Sequence, residues 1–171
     1  VPPPKICDDR AHYLSFYHTL ISAQLIGKSA MPYRLGIEEH KYQALLADIN
    51  HADLYAQDHH WNNDASITQQ QKSQTLSALL QLRRAEYNDL YALLSNHRCT
   101  QTKYSDIAAT IVATACLQPA HLWKSLGFKQ RSDLTLWLQI NFPGLAQQNS
   151  NMRWKRFLYL QLCQQGGDYV C

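Results

Sequence analysis

The sequence predicts an all-α fold, a single-domain irregular bundle of about six or seven helices. Three observations carry that expectation. Only six glycines and six prolines occur in 171 residues. Three of those prolines stand together as Pro2, Pro3 and Pro4, so the rest of the chain is poor in breakers. Apolar residues recur at three-to-four spacing along most of the length, and no useful stretch alternates with the period of two that a half-buried strand needs. With 46% hydrophobic residues, a chain of this length can bury a core of ordinary size.

The first helix is expected from Asp9 to Ile26, with Leu14, Tyr17, Ile21 and Leu25 on one face. Gly27 follows where a helix end favours a left-handed residue. Met31 to Gly36 is a connector, and a second helix places Ile37, Tyr42, Leu45, Leu46 and Ile49 together. Residues 50–65, with His51, His59, His60, Asn62, Asn63 and Asp64, read as a polar loop. Ser66-Ile67-Thr68-Gln69 fits a capping box, in which serine and glutamine side chains satisfy orphan backbone donors reciprocally. It opens one long helix striped by Leu76, Leu79, Leu80, Tyr87, Leu90, Tyr91 and Leu94 and broken at Asn96 to Thr102.

The next helix turns Tyr104, Ile107, Ala108, Ile111, Val112 and Ala115 inward and ends before Pro119. A short helix, His121 to Leu126, stops at Gly127. Another carries Leu134, Trp137, Leu138 and Ile140 and is halted by Phe142-Pro143-Gly144. Asn149 or Ser150 caps the last, which holds Trp154, Phe157, Leu158 and Leu162. Trp123, Trp137 and Trp154 all lie on apolar faces and are expected to share one core beneath that last helix.

Sixteen basic against 13 acidic residues leave a net charge of +3, too small to imply a nucleic-acid or membrane partner. No apolar run reaches the ~18 residues of a membrane-spanning helix. The start, Val-Pro-Pro-Pro-Lys, has no signal-peptide stretch and no initiator methionine, so it reads as a trimmed end of a cytoplasmic protein. Five scattered cysteines, an odd number, argue against a disulfide framework and for reduced thiols able to bind metal. Nucleotide and hydrolase motifs (GxGxxG, the P-loop, GxSxG, HExxH) are missing. Asp8-Asp9 and Glu38-Glu39 sit at expected helix starts, where they suit the macrodipole rather than acid–base work. No enzyme activity is therefore expected.

Several side chains could nonetheless carry chemistry. Asp58-His59-His60, with His51 upstream, offers metal-ligand types, but the spacing matches no established site and the asparagines around it mark a solvated loop. His121 opens a short apolar helix, so its ring should be oriented, with capping or packing as its ordinary role. Cys116, among alanines, reads as a small buried residue. Cys163 and Cys171 carry more weight. Cys163 ends the last helix, Gly166-Gly167 breaks it, and Cys171 follows on a tail. Arg153, Lys155 and Arg156 upstream would favour the thiolate, the form that ligates metal. A cluster, however, takes three or four protein thiolates. The run Arg153-Trp154-Lys155-Arg156 could instead meet a phosphate backbone, although it belongs to no recognised nucleic-acid module.

The C-terminal half resembles the NifQ family. The resemblance is carried by His121-Leu122-Trp123-Lys124-Ser125-Leu126-Gly127-Phe128, by Phe142-Pro143, by Asn151-Met152-Arg153-Trp154-Lys155-Arg156-Phe157-Leu158-Tyr159, and by Cys163 and Cys171. Pro32-Tyr33-Arg34-Leu35-Gly36 is similar to the family's Pro-Leu-Arg-x-Gly stretch. Similarity is dense from Ile107 to Cys171 and sparse before it. One departure is large. The family ends in Cys-x4-Cys-x2-Cys-x5-Cys, and Cys171 matches only its first cysteine, where the sequence stops. Residues 1–165 are thus expected to form the helical domain, and 166–171 the cut-short start of a flexible, cysteine-bearing tail.

What the resemblance implies is a non-catalytic carrier that delivers molybdenum for nitrogenase iron–molybdenum cofactor assembly. It would hold an iron–sulfur cluster, molybdenum-containing when loaded, on Cys171 and Cys163. Its partners would be the cofactor scaffold complex and the nitrogenase iron protein, with neither nucleic acid nor membrane. Molybdate is an oxyanion, so Arg34, His121, Arg153 and Lys155 are the candidate donors for its capture. The alternative is a small helical module that binds nucleic acid or protein without metal. Cys171 is expected to be solvent-accessible, on a chain that leaves the domain surface after Gly166-Gly167.

Overall fold

The computed structural model describes residues 10–52, 67–167 and 169. Residues 53–65 of the expected polar loop, with His59 and His60, the Ser66 cap and Cys171 lie outside those residues, whereas His51 is helical. Among the described residues there are nine α-helices and no strand: α1 Arg10–Leu25, α2 Glu39–His51, α3 Ile67–Leu82, α4 Arg84–Asn96, α5 Ser105–Cys116, α6 Leu122–Leu126, α7 Arg131–Asn141, α8 Pro143–Ala146 and α9 Trp154–Gln164. None is long and apolar enough to cross a membrane.

The class is as expected, and the count exceeds the expected six or seven for local reasons. The long helix divides at Arg83, whose backbone (φ −122°, ψ 31°) leaves the helical region. Arg83 Nη1 donates to the Leu117 carbonyl at 2.9 Å, while Leu82 before it is 83% exposed. The polar side chain has turned inward at the cost of the stripe. After α7, Pro143 both halts one helix and opens the next. Its missing N–H is no loss at a first helical position, so it serves as N1 of α8.

α5 is the centre of the molecule, with ten of its 12 residues buried. A helix that is apolar all round must be covered all round, and its small alanines let neighbours approach closely. On one side the connector turns back over it. Met31 and Leu35 are fully buried, and Arg34, Leu35 and Gly36 are consecutive left-handed residues (φ 59°, 56° and 75°). For the two non-glycines that conformation costs about 1–2 kcal/mol each, offset by burial of Leu35.

The three tryptophans join one core. Trp137 is fully buried, edge-on to Tyr17 at 5.8 Å, Trp154 is buried, and Trp123 packs half-buried against the same cluster. A buried polar chain crosses that core. Tyr13 and Tyr17 share a hydrogen bond of 2.7 Å, Tyr13 donates to Asn141 Oδ1 at 2.8 Å, and Asn141 Nδ2 donates to the Trp137 carbonyl at 2.8 Å.

The C-terminal segment corrects the expectation of a chain leaving the surface after Gly166-Gly167. Gly166 (φ 92°) turns the backbone, and Gly167 N donates to the Leu162 carbonyl at 3.1 Å. Tyr169 then lies edge-on to Tyr159 at 6.0 Å, and its hydroxyl donates to the Asp89 carboxylate on α4. An aromatic with an acceptor within reach has more to gain on the core than in water.

Candidate functional site

The sequence Asn149 to Phe157 builds a fixed, cationic helix start. Asn149 pins the turn at both ends: its Oδ1 accepts from Met152 N at 2.8 Å, and its Nδ2 donates to the Met152 carbonyl at 3.0 Å. It thus organises the approach to α9 rather than capping it, and the N-cap position falls to Arg153. Asn151 takes the left-handed conformation (φ 73°), which asparagine tolerates better than most residues. Arg131 of α7 donates to the Met152 carbonyl at 2.8 Å, and the Trp154 indole donates to Thr135 Oγ1 at 3.0 Å. Arg153 makes no side-chain cap bond. The first backbone N–H groups of α9, those of Trp154, Lys155 and Arg156, therefore have no acceptor among the described residues.

Across from that helix start lies the loop joining α5 to α6. Lys155 spans the gap, its Nζ donating to the carbonyls of Gln118 and Ala120, the latter at 2.9 Å. Two of its three protons are thereby committed. Burial depresses the Lys155 pKa. The clamp sets His121, the exposed N-cap residue of α6, at the edge of the same opening. α6 ends in a Schellman turn at Gly127 (φ 91°), with Phe128 N donating to the Trp123 carbonyl at 3.0 Å.

Between these parts is a cleft of about 120 Å³ whose polar wall is His121, Arg131, Arg153 and Lys155 and whose apolar wall includes Trp123 and Trp154. A broader groove of about 720 Å³ shares His121, Arg153 and Lys155 with it and runs along α9 past Arg156, Tyr159 and Leu160. No aspartate or glutamate lines either one.

Under the groove, Glu86 of α4 holds the network together. Arg83 Nε donates to Glu86 Oε2 at 2.7 Å, Arg83 Nη2 and the Tyr159 hydroxyl both donate to Oε1, and Arg83 Nη2 lies 3.2 Å from the Tyr159 oxygen. Burial raises the pKa of the Tyr159 hydroxyl, and its bond to Glu86 raises it further.

Three of the sequence-derived donors, His121, Arg153 and Lys155, thus come together. Arg34 does not join them; it lies over the Tyr33 ring and pairs with Glu39 at 3.5 Å. Arg131, which lines the cleft, was missed, and so was Lys124, which lines only the broader groove. Lys124 stands three residues after His121 on one helix face, a spacing the sequence does display, whereas the arrival of Arg131 depends on how α7 packs.

The thiols are less accommodating. Cys116 is buried, and desolvation pushes its pKa up to about 12, so it is an inert packing residue. Cys99 is a half-buried free thiol. The sulfur of Cys163 is half-buried and disulfide-bonded, against the expectation of reduced thiols, and lies 3.5 Å from the Tyr169 carbonyl oxygen. Among the described residues, no group of three or more His, Cys, Asp or Glu is placed to hold a metal ion.

The chemistry this corner offers is recognition of a tetrahedral oxyanion. Free amides at a helix start and cationic side chains converge on it. At about 120 Å³ the cleft has room for a small tetrahedral anion.

Comparison with known proteins follows the same residues. Residues 16–171 match the family model described as NifQ. The chain is 38% identical over 166 residues to Protein NifQ of Azotobacter vinelandii, covering 95% of this chain and 82% of that one. It is 30% identical over 147 residues to Protein NifQ of Klebsiella pneumoniae, covering 85% and 81%. No solved structure matches significantly.

Proposed function

The chain belongs to the NifQ family, and on that premise we propose that it is a non-catalytic, cytoplasmic carrier of molybdenum for nitrogenase iron–molybdenum cofactor assembly. The recipients are the cofactor scaffold complex and the nitrogenase iron protein. The observation that supports a role in handling molybdate is the acid-free cleft. Arg153, Arg131 and His121 supply cationic or N–H donors, Lys155 has one proton left to give, and the uncapped first turn of α9 adds backbone amides and its positive dipole end.

The described residues do not by themselves make a cluster site. Placement of a molybdenum–iron–sulfur cargo on Cys171, and on Cys163 after reduction, rests on the family pattern. In anaerobic iron–sulfur reconstitution of the protein, Cys171→Ala should weaken the charge-transfer absorption. A band unaffected by that change removes Cys171 from the ligand set.

Equilibrium dialysis against labelled molybdate tests the cleft. A charge-assisted hydrogen bond contributes about 1.5–3 kcal/mol. Arg153→Gln should therefore weaken binding roughly 10- to 100-fold, and Arg34→Gln, at a residue outside the cleft, should leave it unchanged. Wild-type affinity in Arg153→Gln would mean that molybdate enters elsewhere.

A further inference from the structure

The long groove is too large for the anion the cleft suits: about 720 Å³ against about 120 Å³. We infer that it docks an acidic, partly apolar segment of a partner protein, laid along α9 over the mouth of the cleft. Its apolar lining comes from Pro119, Met152 and Leu160, with the Tyr159 side chain among them. Its rim carries Lys124, Arg153 and Arg156, all exposed and without an ion pair among the described residues.

Elsewhere the fold pairs some of its cations: Arg34 with Glu39 and Lys41 with Asp106 at 3.5 Å, Lys103 with Asp48 at 2.6 Å, and Arg83 with Glu86. It leaves others, such as Arg84, Arg98 and Lys129, without an ion pair among the described residues. The groove is set apart by its apolar lining and its lack of aspartate and glutamate. Three cations without a carboxylate partner beside an apolar trough, Lys124 lying over the Trp123 ring at 5.3 Å, ask for carboxylates with apolar side chains between them. That is the complementarity which steers and orients a protein partner.

A nucleic acid fits the same charges less well. Single strands bind on aromatic faces that stack with bases, whereas Tyr159 is half-buried with its hydroxyl on Glu86 and its ring against Tyr169. Because Arg153, His121 and Lys155 belong to both cavities, a docked segment covers the cleft. Handing cargo to that partner is a role that rests on the carrier reading above; the docking itself does not.

Fluorescence anisotropy of a labelled short peptide of alternating Glu and Leu tests the proposal, with a Lys–Leu peptide and an oligothymidine as controls. The Glu–Leu peptide should bind the protein, and more weakly as salt is raised; the Lys–Leu peptide should not bind. The double reversal Lys124→Glu/Arg156→Glu should weaken the peptide at least tenfold. It should also leave molybdate dialysis unchanged, because neither residue lines the cleft. Both sites are exposed, and circular dichroism would show the fold retained. Absence of peptide binding with molybdate binding intact overturns the docking and spares the carrier reading. Oligothymidine bound as tightly as the peptide and lost on the same reversal overturns it in favour of a phosphate-backbone groove. Loss of molybdate binding in the double variant makes cleft and groove one anion site and overturns it too.

Discussion

Glu86→Ala should destabilise the protein by about 2–3 kcal/mol, measured by urea unfolding at neutral pH. Removing one partner of a fully buried pair costs about 3–5 kcal/mol. The side chains of Glu86 and Arg83 are 18% and 35% exposed, so water partly reaches the orphaned guanidinium and the loss falls below that range. The carboxylate accepts from both Arg83 and the Tyr159 hydroxyl; alanine leaves Arg83 Nε and the Tyr159 hydroxyl without that acceptor, and Arg83 Nη2 with the Tyr159 oxygen alone. Tyr159→Phe removes only one donor and should cost about 1 kcal/mol.

The pH dependence has a defined sign. Burial alone would raise the Glu86 pKa, but hydrogen bonds from Arg83 and Tyr159 outweigh it and hold the carboxyl below its ordinary value. Stability from Glu86 is therefore complete above the unfolded carboxylate pKa of about 4.3 and is lost as pH falls below it. Glu86→Gln should flatten that acid loss. An acid limb as steep as wild type would mean that other carboxylates carry it.

Helix faces were legible because a three-to-four spacing needs only local sequence. The apolar stripes of α1, α2, α5, α7 and α9 are where the spacing puts them, and Gly27 and Gly127 both take the left-handed turn at a helix end. What was illegible depended on distant partners. The inward turn of Arg83 is set by Leu117 and Tyr159, 34 and 76 residues away, so nothing near Arg83 announces the break between α3 and α4. Asn141, the last residue of α7, is fully buried, and Tyr13, 128 residues earlier, brings it a hydroxyl.

The candidate site shows the same division. His121, Arg153 and Lys155 could be nominated from their residue types and the family resemblance. That they meet follows from Lys155 reaching the Gln118 and Ala120 carbonyls across the α5–α6 loop, whereas Arg34 pairs with Glu39 at the start of α2. The C-terminal segment carried a readable signal that glycine content obscured. Tyr169, two residues past the Gly166-Gly167 pair, is an amphipathic anchor, and it returns to the core.

Gly127→Ala should cost about 2–5 kcal/mol, lowering Tm by roughly 4–20 °C for a chain of this size. Two separate effects add. At φ 91° an alanine must adopt a left-handed backbone, which costs about 1–2 kcal/mol. Its Cβ would also sit 2.4 Å from the Ala23 Cβ on α1 and 3.1 Å from the Ser29 Cβ. Neither neighbour is the far end of a flexible side chain, so α1 and α6 must separate, at a further cost of about 1–3 kcal/mol. The effects can be told apart. Ala23→Gly in the Gly127→Ala background removes the nearer clash and leaves the backbone strain. Although Ala23→Gly alone should cost about 1 kcal/mol as a helix glycine, the pair should be more stable than the two losses added together, by about 1–2 kcal/mol. Strict additivity in that cycle would show that α1 and α6 are not in contact at Gly127. The seating of α6 and its Trp123 wall of the cleft would then need another explanation.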